Sequence, residues 1–476
     1  MSGPRTTALA LWVGLLSGPL AAQVTTAPAL GPAPRLVVPA VQRFALPNGL
    51  RVEVVERHEV PLVQAALRVR GGGRLDGNMP GLATFTADML DEGVAGRDAF
   101  ALAAELESLG AQLRTTASWE TFALDVNAPT RTFGRALGVL ADVALRPSFA
   151  STDVNRQRQL RLARLLQARD EPEDVARLVL VRTVYGEGHP YHQPLTGDSA
   201  ATVALDSATV RDFWARAADP RRATLYLVGD VTPAAARQLA TQAFGGWKPP
   251  SAPVPLAPPT SVAEAPRPAT HLVLVDKPGA VQSVIIIGAP GVARTSPDYP
   301  AIMVMSTLLG GSFSSRLNDI LREQKGFTYG ARATYQWRPV PGPFVAMASV
   351  RTDVTDSSLA IFFQEFTRLR TEPVTPVELE RARQYLVLGT LADFEADAQV
   401  AEQLTSLDEF GLPLATLPAE LDAMRRVTVA EVQRATEAHL DPAHLSVVVV
   451  GDLATIRPSI ERLGLGPIEV RDVEGR

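Results

Sequence analysis

The chain carries six histidines, His58, His189, His192, His271, His439 and His444, and no cysteine. Two imidazoles four residues apart on a helix, with a glutamate between them, would hold a zinc ion and a general base for its bound water. None of the six stands at that spacing beside a glutamate: His189 and His192 flank Pro190-Tyr191, and His439 and His444 flank Asp441-Pro442. The lack of cysteine excludes disulfides, thiolate metal sites and a cysteine nucleophile. No G-x-S-x-G elbow marks a serine nucleophile. Gly71-Gly72-Gly73 and Gly310-Gly311 lack the G-K-[ST] of a phosphate loop and read as turns. One pair remains. Arg322 and Tyr329 stand seven positions apart in LREQKGFTY, an Arg ending a helix, a Gly turn, then a Tyr opening a strand. Both are hydrogen-bond donors that could hold a carbonyl and stabilise a tetrahedral oxyanion. The plainer reading is an ion pair of Arg322 with Glu323 or Asp319 and a half-buried strand tyrosine.

The elements that must position these groups fall into two halves. Residues 1–22 read as an export signal: Arg5, an apolar stretch over Thr7–Leu20, and small residues at Ala21-Ala22. Gly14, Ser17, Gly18 and Pro19 break that stretch, which is shorter than the roughly 20 residues a membrane span needs. A Pro/Ala/Thr-rich segment over 23–40 reads as a flexible lead-in, so the mature protein is expected to be exported, periplasmic or secreted, with no stable membrane anchor. Net charge is −5 at pH 7 with both signs scattered, which argues against nucleic acid.

The proline-rich run over 248–268 divides a first half, 41–247, from a second, 269–476. The halves resemble each other. Each contains a buried strand ending in VGD (ATLYLVGD at Ala223–Asp230, LSVVVVGD at Leu445–Asp452) followed by a helix. Each opens with what reads as a hairpin-like strand pair: Leu50–Glu56 with Leu62–Arg70, and His271–Asp276 with Gln282–Gly288. Between these ends, helical spacing recurs, as at Ala99–Leu109, the basic Thr152–Asp170, Glu173–Tyr185, Pro376–Phe394 and Val429–His439. Phe327–Trp337 and Pro343–Val350 read as paired strands. The expected class is α+β, two homologous α/β halves joined by a Pro-rich linker.

Several stretches, in this order, make the sequence similar to the pitrilysin/insulinase metallopeptidases, which include the mitochondrial processing peptidase. They are FALPNG (44–49), GLATFTADMLDEG (81–93), HPYHQPLTG (189–197), the two VGD strands, GGSFSSRLNDILREQKGFTY (310–329) and FGLP (410–413). The resemblance implies two halves of the LuxS/processing-peptidase type arranged as a clamshell. It also implies an inverted zinc motif, His-x-x-Glu-His, on the helix after Pro80. Thr84, Ala87 and Asp88 stand at those positions. The third ligand, a glutamate ahead of Asp170-Glu171-Pro172, is replaced near Arg164. A guanidinium stays protonated and repels a divalent cation, so this chain is expected to bind no metal.

The same resemblance gives Arg322 and Tyr329 the role of facing a zinc site across a chamber. It also makes Leu113–Val126, with Thr115, Thr116 and Ser118, an edge against which peptides extend. It implies the non-catalytic subunit of a heterodimeric zinc peptidase, with zinc and the His-x-x-Glu-His motif in a homologous partner chain and peptides as substrates. The alternative is a non-hydrolytic peptide-binding or structural protein on the same fold.

Overall fold

Six strands of the first half pair into one sheet: β1 (Gln42–Ala45), β2 (Arg51–Glu56), β3 (Leu62–Arg70), β4 (Gln112–Ala117), β5 (Thr121–Pro129) and β6 (Ala223–Gly229), in the order β1-β2-β6-β3-β5-β4. The second half builds another from β7 (His271–Asp276), β8 (Gln282–Pro290), β9 (Thr328–Tyr335), β10 (Pro343–Arg351), β11 (Ser446–Gly451) and β12 (Ile468–Arg471), in the order β12-β7-β11-β8-β10-β9. Five strands correspond one for one, the duplication expected from the two VGD segments; the outer strand differs, β1 opening the first half antiparallel to β2 and β12 closing the second parallel to β7. The structure, a computed structural model, describes residues 35–256 and 269–476. The export signal, the lead-in as far as residue 34 and the linker from 257 to 268 lie outside the described residues.

One expectation is corrected. The first strands of each half do not pair with each other. β6 lies between β2 and β3, parallel to β2 (Val52 opposite Leu225) and antiparallel to β3 (Leu67 opposite Leu225). β11 separates β7 from β8 in the same way. The physical reason is burial: β6 and β11 are buried at every position, and a strand apolar on both faces belongs in the middle of a covered sheet. The true hairpin is β1 with β2, closed through Pro47-Asn48-Gly49.

What covers the two faces differs. One face of each sheet packs on helices of its own half. Leu225 and Leu227 of β6, with Val63, Ala65 and Leu67 of β3, join the first core; Val447 and Val449 of β11 join the second. The opposite faces are closed by exchange. Helix α3 (Pro172–Val184) leaves the first half and lays Val175, Ala176, Val179 and Leu180 on Val284, Ile286, Val448 and Val450 of the second sheet. Helix α4 (Asp397–Glu409) leaves the second half and lays Val400, Ala401, Leu404 and Leu407 on Ala66, Tyr226 and Val228 of the first. Strand alternation makes this possible, since residues at odd and even positions of β6 or β11 face different cores.

Polar contacts fix the seam. Arg51 and Arg70 both reach Asp408, and Arg57 donates to the carbonyls of Phe394 and Glu395. Near the hairpin tip between β4 and β5, Tyr191 donates to Glu120 (2.8 Å), and the Arg338 guanidinium of the second half lies 3.9 Å from the Tyr191 ring centroid. The lead-in, expected to be flexible to residue 40, is docked from Leu36 onward: Leu36 and Val38 pack beside α4. The start of the proline-rich linker is also held, with Arg222 donating to the Val254 carbonyl (2.7 Å).

Two outcomes are expected from the seam. Leu180→Ala should cost about 2–5 kcal/mol, the usual penalty for truncating a buried leucine. Urea unfolding followed by circular dichroism and by tryptophan fluorescence should shift together as one transition; two separable transitions would show that the exchanged helices do not couple the halves. The second concerns Glu409, whose carboxyl is pushed up to about 7 by burial and by the neighbouring Glu120 charge. A carboxyl raised in the folded state contributes stability that is fully present below its unfolded pKa, near 4.5, and lost as pH rises through about 7. The Tm of Glu409→Gln minus that of wild type should therefore rise between pH 5 and pH 8; a pH-independent difference would rule out the effect.

A candidate peptide cleft around the degenerate zinc positions

Helix α1 (Leu82–Met89) starts where two backbones meet. Gly81 has φ +87°, and a Cβ there would lie 2.4 Å from the Thr196 carbonyl oxygen; a Cβ on Gly197, at φ +72°, would lie 2.0 Å from that of Pro80. Only glycines allow this approach. It explains why the GLATF and PLTG stretches occur together: they are two sides of one contact. The helix start is capped from a distance. Asp76 accepts the amides of Gly81 (2.8 Å) and Ala83 (2.7 Å), while burial pushes its carboxyl up to about 7.

The three positions matched to the inverted zinc motif lie on this helix, but they do not converge on a metal-sized space. Ala87 is 1% exposed and belongs to the core of the first half. Thr84 donates its hydroxyl to the carbonyls of Gly81 (3.0 Å) and Leu195 (3.2 Å). Asp88 accepts from Arg161 Nη2 at 2.8 Å. Arg161 stands on the long helix α2 (Ser151–Ala168), where it is 7% exposed. Its Nη1 donates to the Gly81 carbonyl (2.8 Å) and the Thr84 hydroxyl (3.0 Å), and its guanidinium lies 5.1 Å from the Phe85 ring centroid. Burial lowers its pKa and the Asp88 charge opposes that change, yet an arginine remains a cation at any physiological pH.

A protonated guanidinium thus joins the two helices across the positions where zinc ligands would face each other. Among the described residues, no group of three or more His, Cys, Asp or Glu could hold a metal ion. The donor set of Thr84, Ala87 and Asp88, with Arg161 between them, does not fit zinc.

Arg164, expected near the third-ligand position, is exposed and lines a cleft of 960 Å³ with Thr84, Asp88, Thr116 and Arg161. Thr115 and Thr116 lie on β4, the edge strand of the first sheet, which packs beside α1. Ser118 lies in the following turn, where its oxygen accepts the amides of Glu120 and Thr121. Arg322 and Tyr329 are not among the cleft residues. Arg322 lies over Phe313 (3.9 Å to the ring centroid) and 3.5 Å from Glu323. Tyr329 is 93% exposed, in an irregularity of β9 between Thr328 and Ala331. Asn318 holds that irregularity in place, accepting the Ala331 amide (2.8 Å) and donating to the Ala331 carbonyl (2.9 Å).

A family model described as Insulinase (Peptidase family M16) matches residues 51–199, and one described as Peptidase M16 inactive domain matches residues 204–386. The chain belongs to the insulinase family. Among relatives, an uncharacterized zinc protease of Streptomyces coelicolor is 25% identical over 364 residues, covering 75% of this chain and 77% of the relative. A protein of Helicobacter pylori named a non-peptidase homolog is 22% identical over 413 residues, covering 85% and 93%. The crystal structure of a peptidase M16 inactive domain from Pseudomonas fluorescens aligns with TM-score 0.78 at 26% identity, covering 86% of this chain and 98% of that one. The family models thus span residues 51–199 and 204–386 of this chain, and the residues matched to the zinc motif, Thr84, Ala87 and Asp88, include no histidine or glutamate.

Sequence reasoning named Arg164, which lines the cleft with Thr84 and Asp88, but did not single out Arg161 one turn before it. The signal was the run of arginines at 156, 158, 161 and 164, in which no single member stands out until Thr84 and Asp88 are placed opposite. Arg161→Met should lower stability by about 1–3 kcal/mol, the cost of leaving the Gly81 and Thr84 oxygens without their buried donor. Thermal unfolding measures this; an unchanged Tm would show that the guanidinium is not what holds α1 to α2.

Proposed function

We propose that this chain is the non-catalytic subunit of a two-chain zinc peptidase outside the cytoplasm, its homologous partner supplying the His-x-x-Glu-His motif, the general base and the zinc ion. The observation that carries this reading is a contrast between two sites. The zinc positions are occupied by Arg161 and its hydrogen bonds, whereas Tyr329 projects into solvent from a strand irregularity braced by Asn318. The exposed Tyr329, and the partly exposed Arg322 stacked on the exposed Phe313, have no evident use within their own chain, but they suit contact with a second one. Placed against the partner's zinc, Arg322 and Tyr329 would donate to the scissile carbonyl and stabilise the charge developing on its oxygen. Substrates would be peptides or unfolded segments that fit a chamber enclosed by the two chains.

Reconstitution tests this reading. Each chain alone should be inactive on a quenched fluorescent peptide, and the mixture active. Arg322→Ala should lower kcat about 10²-fold, the scale of losing an oxyanion donor, and Tyr329→Phe should lower it measurably, both with heterodimer assembly intact on size-exclusion chromatography. Full activity from a mixture carrying both substitutions would remove the role assigned to them. Peptide binding without turnover in any mixture would favour the non-hydrolytic alternative.

A further inference from the structure

The cleft beside the lost zinc site has a charge of its own. Helices α2 and α3 line it with Arg161, Arg164, Arg169, Arg177 and Arg182. Of the acids lining it, Asp88 is paired with Arg161, Asp198 accepts the Ala201 amide at the start of the following helix, and Asp174 stands in the first turn of α3, so arginines outnumber carboxylates. The cleft also holds a piece of this chain. Val473 packs onto the apolar cluster under α3, and Glu474 enters beside it. The Glu474 carboxylate is paired with Arg169 and with Arg476 (2.6 Å), and its backbone carbonyl accepts from Arg182. A turn of this chain bearing a glutamate is thus already held along one wall by arginine side chains.

Farther along the same cleft, arginines remain without such a partner. Arg164 is exposed and makes no hydrogen bond or ion pair among the described residues, and Arg177, also exposed, contacts only the Met347 sulfur at 3.1 Å. Beside them runs β4, whose outer flank has no strand paired to it, with Thr116 and Ala117 on the cleft wall. An open strand edge recognises extended backbone, and guanidinium groups recognise carboxylates.

We infer that this cleft is a recognition site for extended acidic peptide segments, whose backbone adds to the β4 edge while their Asp or Glu side chains reach Arg164 and Arg177. The inference rests on the peptide-handling role of the edge strand but needs neither zinc nor a partner chain. The volume, 960 Å³, lies at the upper end of the range for small-ligand sites and admits a short run of residues rather than a folded domain. Loss of the zinc chemistry thus leaves a site that sorts peptides by charge.

The test is fluorescence anisotropy on the full chain alone, with three rhodamine-labelled decapeptides alternating Val with Glu, Gln or Lys. The Glu peptide should bind at least about tenfold more tightly than the Gln peptide, and the preference should shrink as salt is raised from 50 to 500 mM. Arg164→Ala/Arg177→Ala should weaken Glu-peptide binding about five- to tenfold and leave the Gln peptide and the Tm unchanged. Equal affinity for Glu and Gln peptides, tighter binding of the Lys peptide, or indifference to the double substitution would each overturn the inference. Because the readout is binding to one chain, such a failure leaves the reconstitution result untouched, and inactive reconstitution would leave this binding intact.

Discussion

The structure depends on the exchange of α3 and α4 between the halves. Each sheet has a central strand, β6 or β11, that is apolar on both faces. One face of each sheet is covered by a helix of the other half, so each half would expose that apolar face if separated. Burying that face is worth roughly 25 cal/mol per Å², and the exchanged helices supply complementary stripes: Val175, Val179 and Leu180 on one, Val400, Leu404 and Leu407 on the other. The contact also sets how close the helices come. A Cβ on Gly288 would stand 3.0 Å from the Leu180 methyls, so a bare backbone at that point of β8 lets α3 lie flat on the sheet.

The exchange also builds the cleft. Because α3 must cross to the other sheet, α2, which ends four residues before it begins, is drawn to the seam. The two helices then present their arginines toward the same space as α1 and the β4 edge. The segment at Val473–Glu474 reaches that space by the converse path, carried there by the second half as it packs on α3. A site assembled from both halves is a direct consequence of how they close one another's sheets.

Much of this was legible in the sequence, and the failures have physical causes. Ala99–Leu109 and Val429–His439 are bounded as read because local signals agree: apolar spacing inside, and Asp98 or the Thr428 capping box at the start. The hairpin reading of β2 with β3 failed because strands close in sequence usually neighbour each other, and nothing local shows that β6 will arrive between them. Helix α4 was not read, although Val400, Leu404 and Leu407 have helical spacing, because its significance lies in the foreign sheet it covers. Thr84, Ala87 and Asp88 were matched to the zinc motif by resemblance alone. Arg161 could not be found that way, since its role depends on which side of α2 faces α1, and that is decided by packing.

At the positions where the family resemblance would put a zinc site, a guanidinium ties α1 to α2. A zinc site ties two helices together through charge. Arg161 makes such a tie with a single positive charge on a planar, multiply donating group. It reaches Asp88, Thr84 and the Gly81 carbonyl at once, and its stem and face rest on Phe85. These bonds need no metal supply. What they cannot do is lower the pKa of a water or offer an open coordination position, which is the catalytic part of a zinc site. Arg161 can therefore join the two helices, but it cannot activate a water as a zinc ion does.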